Sequence, residues 1–285
     1  MTRHHPTSGV PAPAAGTAPP GPLGHAARPA PPAAAQPGKA APRLPERSTI
    51  SLLLAGAIVA AWLALHVHAL WFLDAPRQPL LALAEVAGLT WLSVGLFIIA
   101  HDAMHGAVVR GSARANTVVG QLALALYAGF SWRKLIVKHM AHHRHAGTDH
   151  DPDFAHGGPV RWYLDFLRTY FGLREALVLG LAVGAYALVL GPRWPYVAFW
   201  VLPSILASIQ LFVFGTWLPH RPGTAPFPDR HNARSSRMGR AVSLLTCYHF
   251  GGFHHEHHLH PSVPWWQLPA TRPASGAPPA QGTDA

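Results

Sequence analysis

Long apolar runs constrain the fold of this chain more than any other feature. Four of them, residues 51–73, 80–100, 173–190 and 196–214, contain few ionisable side chains. Each run approaches the ~20 residues that a helix needs to cross ~30 Å of hydrocarbon. A fifth run, residues 116–130, is shorter, which is typical of a re-entrant or interfacial helix. The pattern predicts an all-α integral membrane protein with two transmembrane helical hairpins.

The charge content argues against the alternative, a soluble protein with four buried core helices. Charged residues make up 12% of the 285 positions, about half of the ~25% found in an ordinary soluble domain. So few charges cannot provide the polar surface that such a large apolar core needs. We therefore interpret the four runs as membrane spans.

The distribution of Lys and Arg predicts the orientation of the spans. The short linkers inside the two hairpins, residues 74–79 and 191–195, hold only Arg77 and Arg193 of the 22 basic residues. The others lie in the two terminal segments and in the long segment between the hairpins. Because basic residues favour the cytoplasmic side, we expect both termini and this middle segment to be cytoplasmic.

The two ends of the chain differ from the rest in composition. Residues 1–47 are rich in Ala, Pro and Gly and lack the compact Leu-rich core of a signal peptide. A similar segment covers residues 270–285. We expect both to be disordered tails, because they have little apolar mass to bury. The folded domain is predicted to span residues 48–269.

Several functional classes find no support in the sequence. The net charge of +10 comes from basic residues scattered between apolar runs, whereas a nucleic-acid-binding protein concentrates them on one face. One cysteine, Cys247, permits neither an intramolecular disulfide nor a multi-cysteine metal site. The glycine-rich motifs of dinucleotide and nucleotide sites do not occur. A bound metal must therefore be held by imidazole and carboxylate groups.

The 21 histidines include three clustered boxes on the predicted cytoplasmic side. In each box the spacing places imidazoles on one helical face, one turn apart. Imidazole binds iron, copper, nickel and zinc. Eight imidazoles exceed the four ligands of one zinc, but they suit two metals, and iron can also activate O2. The boxes are His101 and His105; His139, His142 and His143; and His254, His257 and His258.

Three boxes beside two membrane hairpins resemble the membrane fatty-acid desaturase and hydroxylase superfamily of integral di-iron proteins. Longer strings resemble one branch, the bacterial beta-carotene ketolases, over about residues 50–269. These strings are HDAMHG at 101–106, HHRHAGTDHDPDF at 142–154, FGTWLPHR at 214–221, HNARSSR at 231–237, LTCYHFG at 245–251 and PWWQLP at 264–269.

The resemblance implies a set of nine metal ligands. It adds His220, on the segment after the last apolar run, to the eight histidines of the boxes. His249 is the main competitor for this ninth position. The other histidines of these segments are expected near the site or on the surface; they are His145, His150, His156, His231, His255 and His260.

The resemblance also implies a reaction and its co-reactants. Two iron ions would use O2 and electrons from an external ferredoxin-type donor, in a bacterial inner (plasma) membrane. Two successive hydroxylations at C4 of a beta-ionone ring, followed by dehydration, would convert beta-carotene to echinenone and then canthaxanthin. A carotenoid C3 hydroxylase or a membrane fatty-acid desaturase or hydroxylase has the same boxes. A non-catalytic membrane metal-binding protein is the alternative outside this class.

Carboxylates lie close to the boxes. Metal-bound imidazoles usually donate their second N–H to a carboxylate or a carbonyl. We expect Asp102 and Asp153 to have this role, with Asp149 and Asp151 nearby. Glu256, inside the third box, is expected to face solvent because it alternates away from the ligand face.

Basic and aromatic residues near the boxes have two interpretations each. One set of cations would either steer an acidic reductant or anchor the protein at lipid headgroups; it contains Arg133, Lys134, Lys138 and Arg144. One set of tryptophans would either line a tunnel for a carotenoid or anchor the protein at the membrane interface; it contains Trp132, Trp217, Trp265 and Trp266.

Overall fold

The computed structural model describes residues 44–191, 194–223 and 225–272, and within them every regular element is helical. The long helices are α1 (Leu44–Trp71), α2 (Pro79–Met104), α3 (Ala113–Ala128), α4 (Trp132–His145), α5 (Pro159–Tyr170), α6 (Leu173–Leu190) and α7 (Val197–His220). Two short helices, α8 (Arg240–Cys247) and α9 (His254–Leu259), and a 3₁₀ helix at Trp265–Ala270 follow.

The domain boundaries differ slightly from the predicted ones. Helix α1 begins at Leu44, four residues before the predicted start of the domain at residue 48. At the other end Arg272 is hydrogen-bonded into the domain, beyond the predicted end at residue 269. Most of the two predicted tails, residues 1–43 and 273–285, lies outside the described residues.

Three helices in the described part of the chain are long and apolar enough to cross a membrane: Glu46–Trp71 in α1, α2 and α7. Helices α5 and α6 pass the same test only as a pair, and this pair is bent by 75°. The structure therefore contains three candidate spans, or four if the bent pair crosses as one. The third apolar run of the sequence corresponds to α6, which is short, carries Arg174 and Glu175 in its first turn, and passes the test only together with α5.

Helix α2 lies at the centre of the bundle. Leu89, Val94 and Leu96 on this helix are fully buried, and α2 contacts α1, α3, α7 and α8. Leu53 on α1 and Leu181 on α6 are mostly exposed, as expected for side chains that face lipid. The fifth apolar run forms α3, which packs along α2. The C-terminal end of α2 is thus enclosed by the other helices.

Local sequence signals bring the boxes to this enclosed end. Helix α2 starts with Pro79 in its first turn, where a missing N–H costs nothing. It continues past the predicted run to Met104, so the last turn carries His101. Helix α3 ends at Gly129 with φ 68°, a left-handed conformation that glycine adopts without strain. Ser131 then caps α4, the helix that carries the second box.

Candidate metal centre

Four helix ends supply the nine predicted ligands. The first box lies at the end of α2, the second on the last turns of α4, His220 on the last turn of α7, and the third on α9. The structure brings all nine imidazoles together in two clusters. In each cluster, one nitrogen from every histidine lies within 4.8 Å of the corresponding nitrogens of the others.

The five-histidine cluster combines all three boxes. It consists of His101, His105, His139, His143 and His257. The Nε2 atoms of His105 and His139 are 2.7 Å apart, and those of His143 and His257 are 3.0 Å apart. His101 and His257 are buried, whereas the other three are half-buried.

The four-histidine cluster combines the second and third boxes with His220. It consists of His142, His220, His254 and His258, all buried. The Nε2 atom of His254 lies 2.9 Å from that of His220 and 3.1 Å from that of His258. The two clusters adjoin, since the rings of His143 and His258 stack with their centroids 4.3 Å apart.

The geometry of both clusters fits a transition-metal ion. Two nitrogens that bind one metal at ~2.1 Å with perpendicular bonds lie about 3 Å apart, close to the observed 2.7–3.1 Å. Five and four imidazoles leave open positions on two six-coordinate metals. This donor set, with nitrogen and no sulfur, suits iron, copper, nickel or zinc.

Burial keeps most of these imidazoles neutral. It lowers the pKa of ligand candidates on α4 and α9 well below the usual value, and neighbouring histidines lower it further; examples are His139, His254, His257 and His258. A neutral imidazole offers the lone pair that a metal requires. The clusters are therefore in a binding-competent protonation state at neutral pH.

His142 is oriented by a carboxylate. Its Nδ1 lies 2.9 and 3.0 Å from the two oxygens of Asp151, which leaves Nε2 for the cluster. Asp151 also accepts hydrogen bonds from the backbone N–H groups of Gly147 and Asp153, both at 2.8 Å. Burial lowers the pKa of His142, but the hydrogen bond to Asp151 and the charges of Asp151 and Asp153 outweigh it, so the net shift is upward. Asp151 thus fixes both the tautomer and the ring.

The two carboxylates predicted for this role have other partners. Asp102 lies 3.7 Å from Nδ1 of His101, too far for a hydrogen bond, and accepts the backbone N–H of Trp265 at 2.9 Å. Asp153 lies 3.8 Å from Nδ1 of His142 and accepts a hydrogen bond from the Tyr170 hydroxyl. Burial raises the pKa of Asp153 to about 6. The structure therefore gives the orienting role to Asp151, because the turn after α4 points its carboxylate at His142.

Of the two candidates for the ninth position, His220 lies in the four-histidine cluster. Its Nδ1 donates to the backbone carbonyl of Asn232 at 2.7 Å, which leaves Nε2 for the cluster. The competitor, His249, lies outside both clusters. Its ring stacks on Trp265 with the centroids 6.2 Å apart.

The remaining histidines of these segments also lie outside the clusters. His255 pairs with Asp229 at 2.8 Å and His156 with Asp149 at 3.1 Å. His231 approaches the ring of His258, with centroids 5.9 Å apart. The exposed members are His145, His150, His156 and His260.

The sequence predicts that Glu256 faces solvent, but in the structure its carboxylate holds the helix of the third box in place. Its carboxylate accepts hydrogen bonds from Nε of Arg272 at 2.5 Å and from the Ser235 hydroxyl. Arg272 also donates to the Gly252 carbonyl at 2.6 Å and lies over the ring of Phe253, 4.2 Å from its centroid. These contacts hold α9, which supplies ligands to both clusters.

An apolar cavity leads to the two clusters. Seven of the nine histidines line it, together with Asp153 and apolar side chains of α2, α5 and α7 such as Phe97, Phe166 and Leu211. The four tryptophans proposed for a tunnel are not among its lining residues. Trp132 is buried against α3, and the indole N–H of Trp266 donates to Ser51 at 3.1 Å.

Comparison with known proteins gives the chain a family. The family model described as fatty acid desaturase matches residues 77–179 and 168–282, more than half of the chain. This chain belongs to the fatty acid desaturase family. The resemblance predicted from the histidine boxes is thereby confirmed.

Within this family, several ketolases are similar to most of this chain. It is 76% identical over 222 residues to a beta-carotene ketolase of Paracoccus sp. strain N81106, covering 78% of this chain and 92% of the relative. It is 69% identical over 227 residues to a beta-carotene ketolase of Paracoccus sp. strain PC1, covering 80% and 94%. A zeaxanthin 4-ketolase of Chlamydomonas reinhardtii is 37% identical over 246 residues, covering 80% of this chain and 54% of the relative.

Two groups at the centre of this desaturase-family site escaped the sequence reasoning. Asp151 is one of several acids near the second box, and the period of a helix does not reveal which acid of a following turn reaches back to His142. The Asn232 carbonyl is a backbone group, and no side-chain pattern marks it. The signal for Asp151 was its place in the turn directly after the second box.

Proposed function

We propose that this protein is a beta-carotene ketolase that introduces keto groups at C4 and C4′ of the beta-ionone rings. It converts beta-carotene to echinenone and then to canthaxanthin by two successive O2-dependent hydroxylations and a dehydration at each ring. The observation that carries the proposal is the apolar cavity that ends on the two histidine clusters, seven of whose nine imidazoles line it, in a chain 76% identical to a beta-carotene ketolase over 92% of that relative.

Two irons are proposed as the resident metals, with His101, His105, His139, His143 and His257 around one and His142, His220, His254 and His258 around the other. When bound, they supply the activation of O2, with electrons from an external ferredoxin-type donor. Iron is favoured over zinc because the proposed reaction is an oxidation and zinc has no redox chemistry.

The residues of the chain bind, orient and exclude water. Asp151 and the Asn232 carbonyl hold His142 and His220 with their Nε2 atoms toward the four-histidine cluster. Apolar side chains of the cavity, such as Phe97, Phe130 and Leu211, exclude water around the ring carbon that reacts. An apolar substrate reaches this cavity from the bilayer, so C4 is positioned beside the clusters by packing instead of hydrogen bonds.

We further propose a bacterial inner-membrane protein with four spans, in which α5 and α6 together form the third. The termini, the histidine clusters and the basic residues of α4 would be cytoplasmic, where a reductant can dock. Arg133 and Arg144 are exposed and available to an acidic partner. Lys134 is already engaged, with the Tyr170 carbonyl at 3.0 Å and Glu175 at 3.4 Å, so lipid anchoring or steering would fall mainly to the two arginines.

Expression in a beta-carotene-producing bacterium tests the function directly. We expect red-orange cells that contain echinenone and canthaxanthin, identified by chromatography and mass. A matched strain with the exposed His260→Ala variant should give the same products. Zeaxanthin as the main product would indicate a C3 hydroxylase, and unchanged beta-carotene with altered membrane lipids would indicate a fatty-acid desaturase or hydroxylase. Bound zinc without O2-dependent turnover would indicate a metal-binding protein without catalysis.

A further inference from the structure

One hydroxyl in the cavity has no partner in the described part of the chain. Thr216 lines the cavity on α7 and is only 6% exposed. Other threonines on helices bond to the carbonyl four residues earlier: Thr90 to Val86 at 2.7 Å and Thr246 to Val242 at 2.8 Å. A hydroxyl in a mostly buried residue without a partner in the protein is available to pair with a ligand.

The reason for this difference lies in the local backbone. Thr216 is in the π-helical turn Val213–Trp217 of α7, and single π-helical turns are frequent at functional sites because they re-aim side chains. Thr216 precedes His220 by four residues and lines the same cavity as His254 and His258. Thr216 therefore lies on the last part of α7, which ends at His220 of the four-histidine cluster, and lines the cavity that the histidines share.

The other hydroxyls of the cavity are already occupied. Ser208 bonds to Tyr163 at 2.7 Å and to the Ile205 carbonyl at 2.8 Å. Tyr127 donates to the Ser204 carbonyl at 3.1 Å, and the Tyr170 hydroxyl donates to the Asp153 carboxylate. Among the described hydroxyls that line the cavity, Thr216 is the one available to a ligand.

We propose that Thr216 hydrogen-bonds the C4 hydroxyl of the half-oxidised ring and retains it for the second oxidation. This inference rests on the proposed ketolase function. In the first round one atom of O2 is inserted into a C4–H bond to give the hydroxyl and the other leaves as water, with two electrons from the external donor and two protons from solvent. The second round replaces the remaining C4 hydrogen in the same way, and the resulting gem-diol loses water to form the ketone.

The selectivity of this contact follows from the substrate. Beta-carotene has no polar atom, so Thr216 gains no hydrogen bond from it. The hydroxylated ring can both donate to Thr216 and accept from it. Thr216 thus strengthens the binding of the hydroxylated intermediate relative to that of beta-carotene, which makes it a specificity-determining residue that favours the ketone over the alcohol as the released product.

The product ratio tests this role. Thr216→Val keeps the shape and removes the hydroxyl, and we expect about a fivefold rise in the ratio of 4-hydroxy to 4-keto product, the typical effect of one hydrogen bond. Thr216→Ser should keep the ratio of the wild type. Thr90→Val is the matched control, because it removes a hydroxyl that is bonded to its own helix. All strains are compared at equal total conversion, with wild-type expression reduced to match.

Each outcome decides the inference. The ratio of 4-hydroxy to 4-keto product reports only on protein molecules that turn over, so partial misfolding does not alter it. Thr216→Ala serves as a second variant. An unchanged product ratio in both variants overturns the role of Thr216. The proposed function is unaffected by that result as long as the wild-type protein forms ketone. Complete loss of product in both variants also overturns it, because the hydroxyl would then be needed before the first oxidation. Wild-type protein that forms no ketone overturns the proposed function itself, and the inference with it.

Discussion

The two histidine clusters are built differently. In the four-histidine cluster, His142 is held by Asp151 and His220 by the Asn232 carbonyl. In the five-histidine cluster, no imidazole is hydrogen-bonded to a carboxylate or carbonyl of the described residues; His101 lies 3.7 Å from Asp102, and Nδ1 of His257 is buried without a partner. In the four-histidine cluster, outer hydrogen bonds thus orient two of the four imidazoles, while Nδ1 of His254 and of His258 is buried without a partner. The imidazoles of the five-histidine cluster are positioned by their helices.

The imidazoles of a metal site can thus be positioned in two ways, by outer hydrogen bonds or by the packing of their helices alone. Outer hydrogen bonds fix the tautomer and the ring orientation before a metal binds. Three imidazoles of the five-histidine cluster are also half-buried, whereas all four of the other cluster are buried. We therefore expect the four-histidine cluster to bind its metal more tightly and the five-histidine cluster to exchange its metal more readily.

Removing a ligand from either cluster should have the largest effect. His142→Ala removes one ligand and leaves the buried Asp151 without its partner, so we expect activity to fall to background and one metal to be lost. His139→Ala should abolish activity equally but spare the metal of the four-histidine cluster. Metal analysis of the purified proteins and product analysis in cells measure both. Full activity of either variant would contradict the ligand assignment.

The carboxylates provide a finer test of the comparison. Asp151→Asn should lower metal affinity about 10- to 100-fold, the usual effect of losing an orienting carboxylate. Asp102→Asn should lower it by less than about threefold, because Asp102 contacts the Trp265 N–H and no imidazole. Competition with a metal chelator measures both affinities. Equal losses in the two variants would show that outer hydrogen bonds do not distinguish the clusters.

The Arg272–Glu256 contact should affect both clusters together, since α9 supplies ligands to each. We expect Arg272→Ala to lower the free energy of unfolding by about 1–2 kcal/mol, as for a partly exposed charge-assisted hydrogen bond. Arg237→Ala, an exposed arginine nearby, is the control and should have little effect. Thermal unfolding in detergent measures both variants. A chain that ends at Thr271 should resemble Arg272→Ala, whereas one that ends at Arg272 should resemble the wild type.

Acid should also destabilise the metal-free protein. We expect this effect to be smaller and more gradual than the effects of the substitutions above. Burial lowers the pKa of His139, His254, His257 and His258, so the unfolded chain binds more protons than the folded one below about pH 6.5. Stability should therefore fall as the pH drops from about 6.5 toward 5. His142, whose pKa is raised, opposes this trend, but it is a single group against the several histidines whose pKa is lowered. A melting temperature that rises as the pH drops from about 6.5 to 5 would contradict the neutral state of the clustered imidazoles.

The sequence predicted much of this protein because its main signals are local. Apolar runs report membrane spans, and the spacing of the three boxes reports helical faces, so the eight box histidines needed no tertiary information. His220 required the family resemblance, because a single histidine carries no period. The strict hairpin picture was less successful at α5 and α6, where a bend of 75° interrupts the helix.

The amino-acid sequence by itself determined the helical membrane class, the family and the identity of the nine clustered histidines. Only the tertiary structure divided them into groups of five and four, chose Asp151 over Asp102 and Asp153, and left the Thr216 hydroxyl unpaired in the cavity. The physical reason is the distance along the chain over which each signal acts. Helical periodicity acts over a few residues and can be read along the chain, whereas these choices depend on where the ends of separate helices meet.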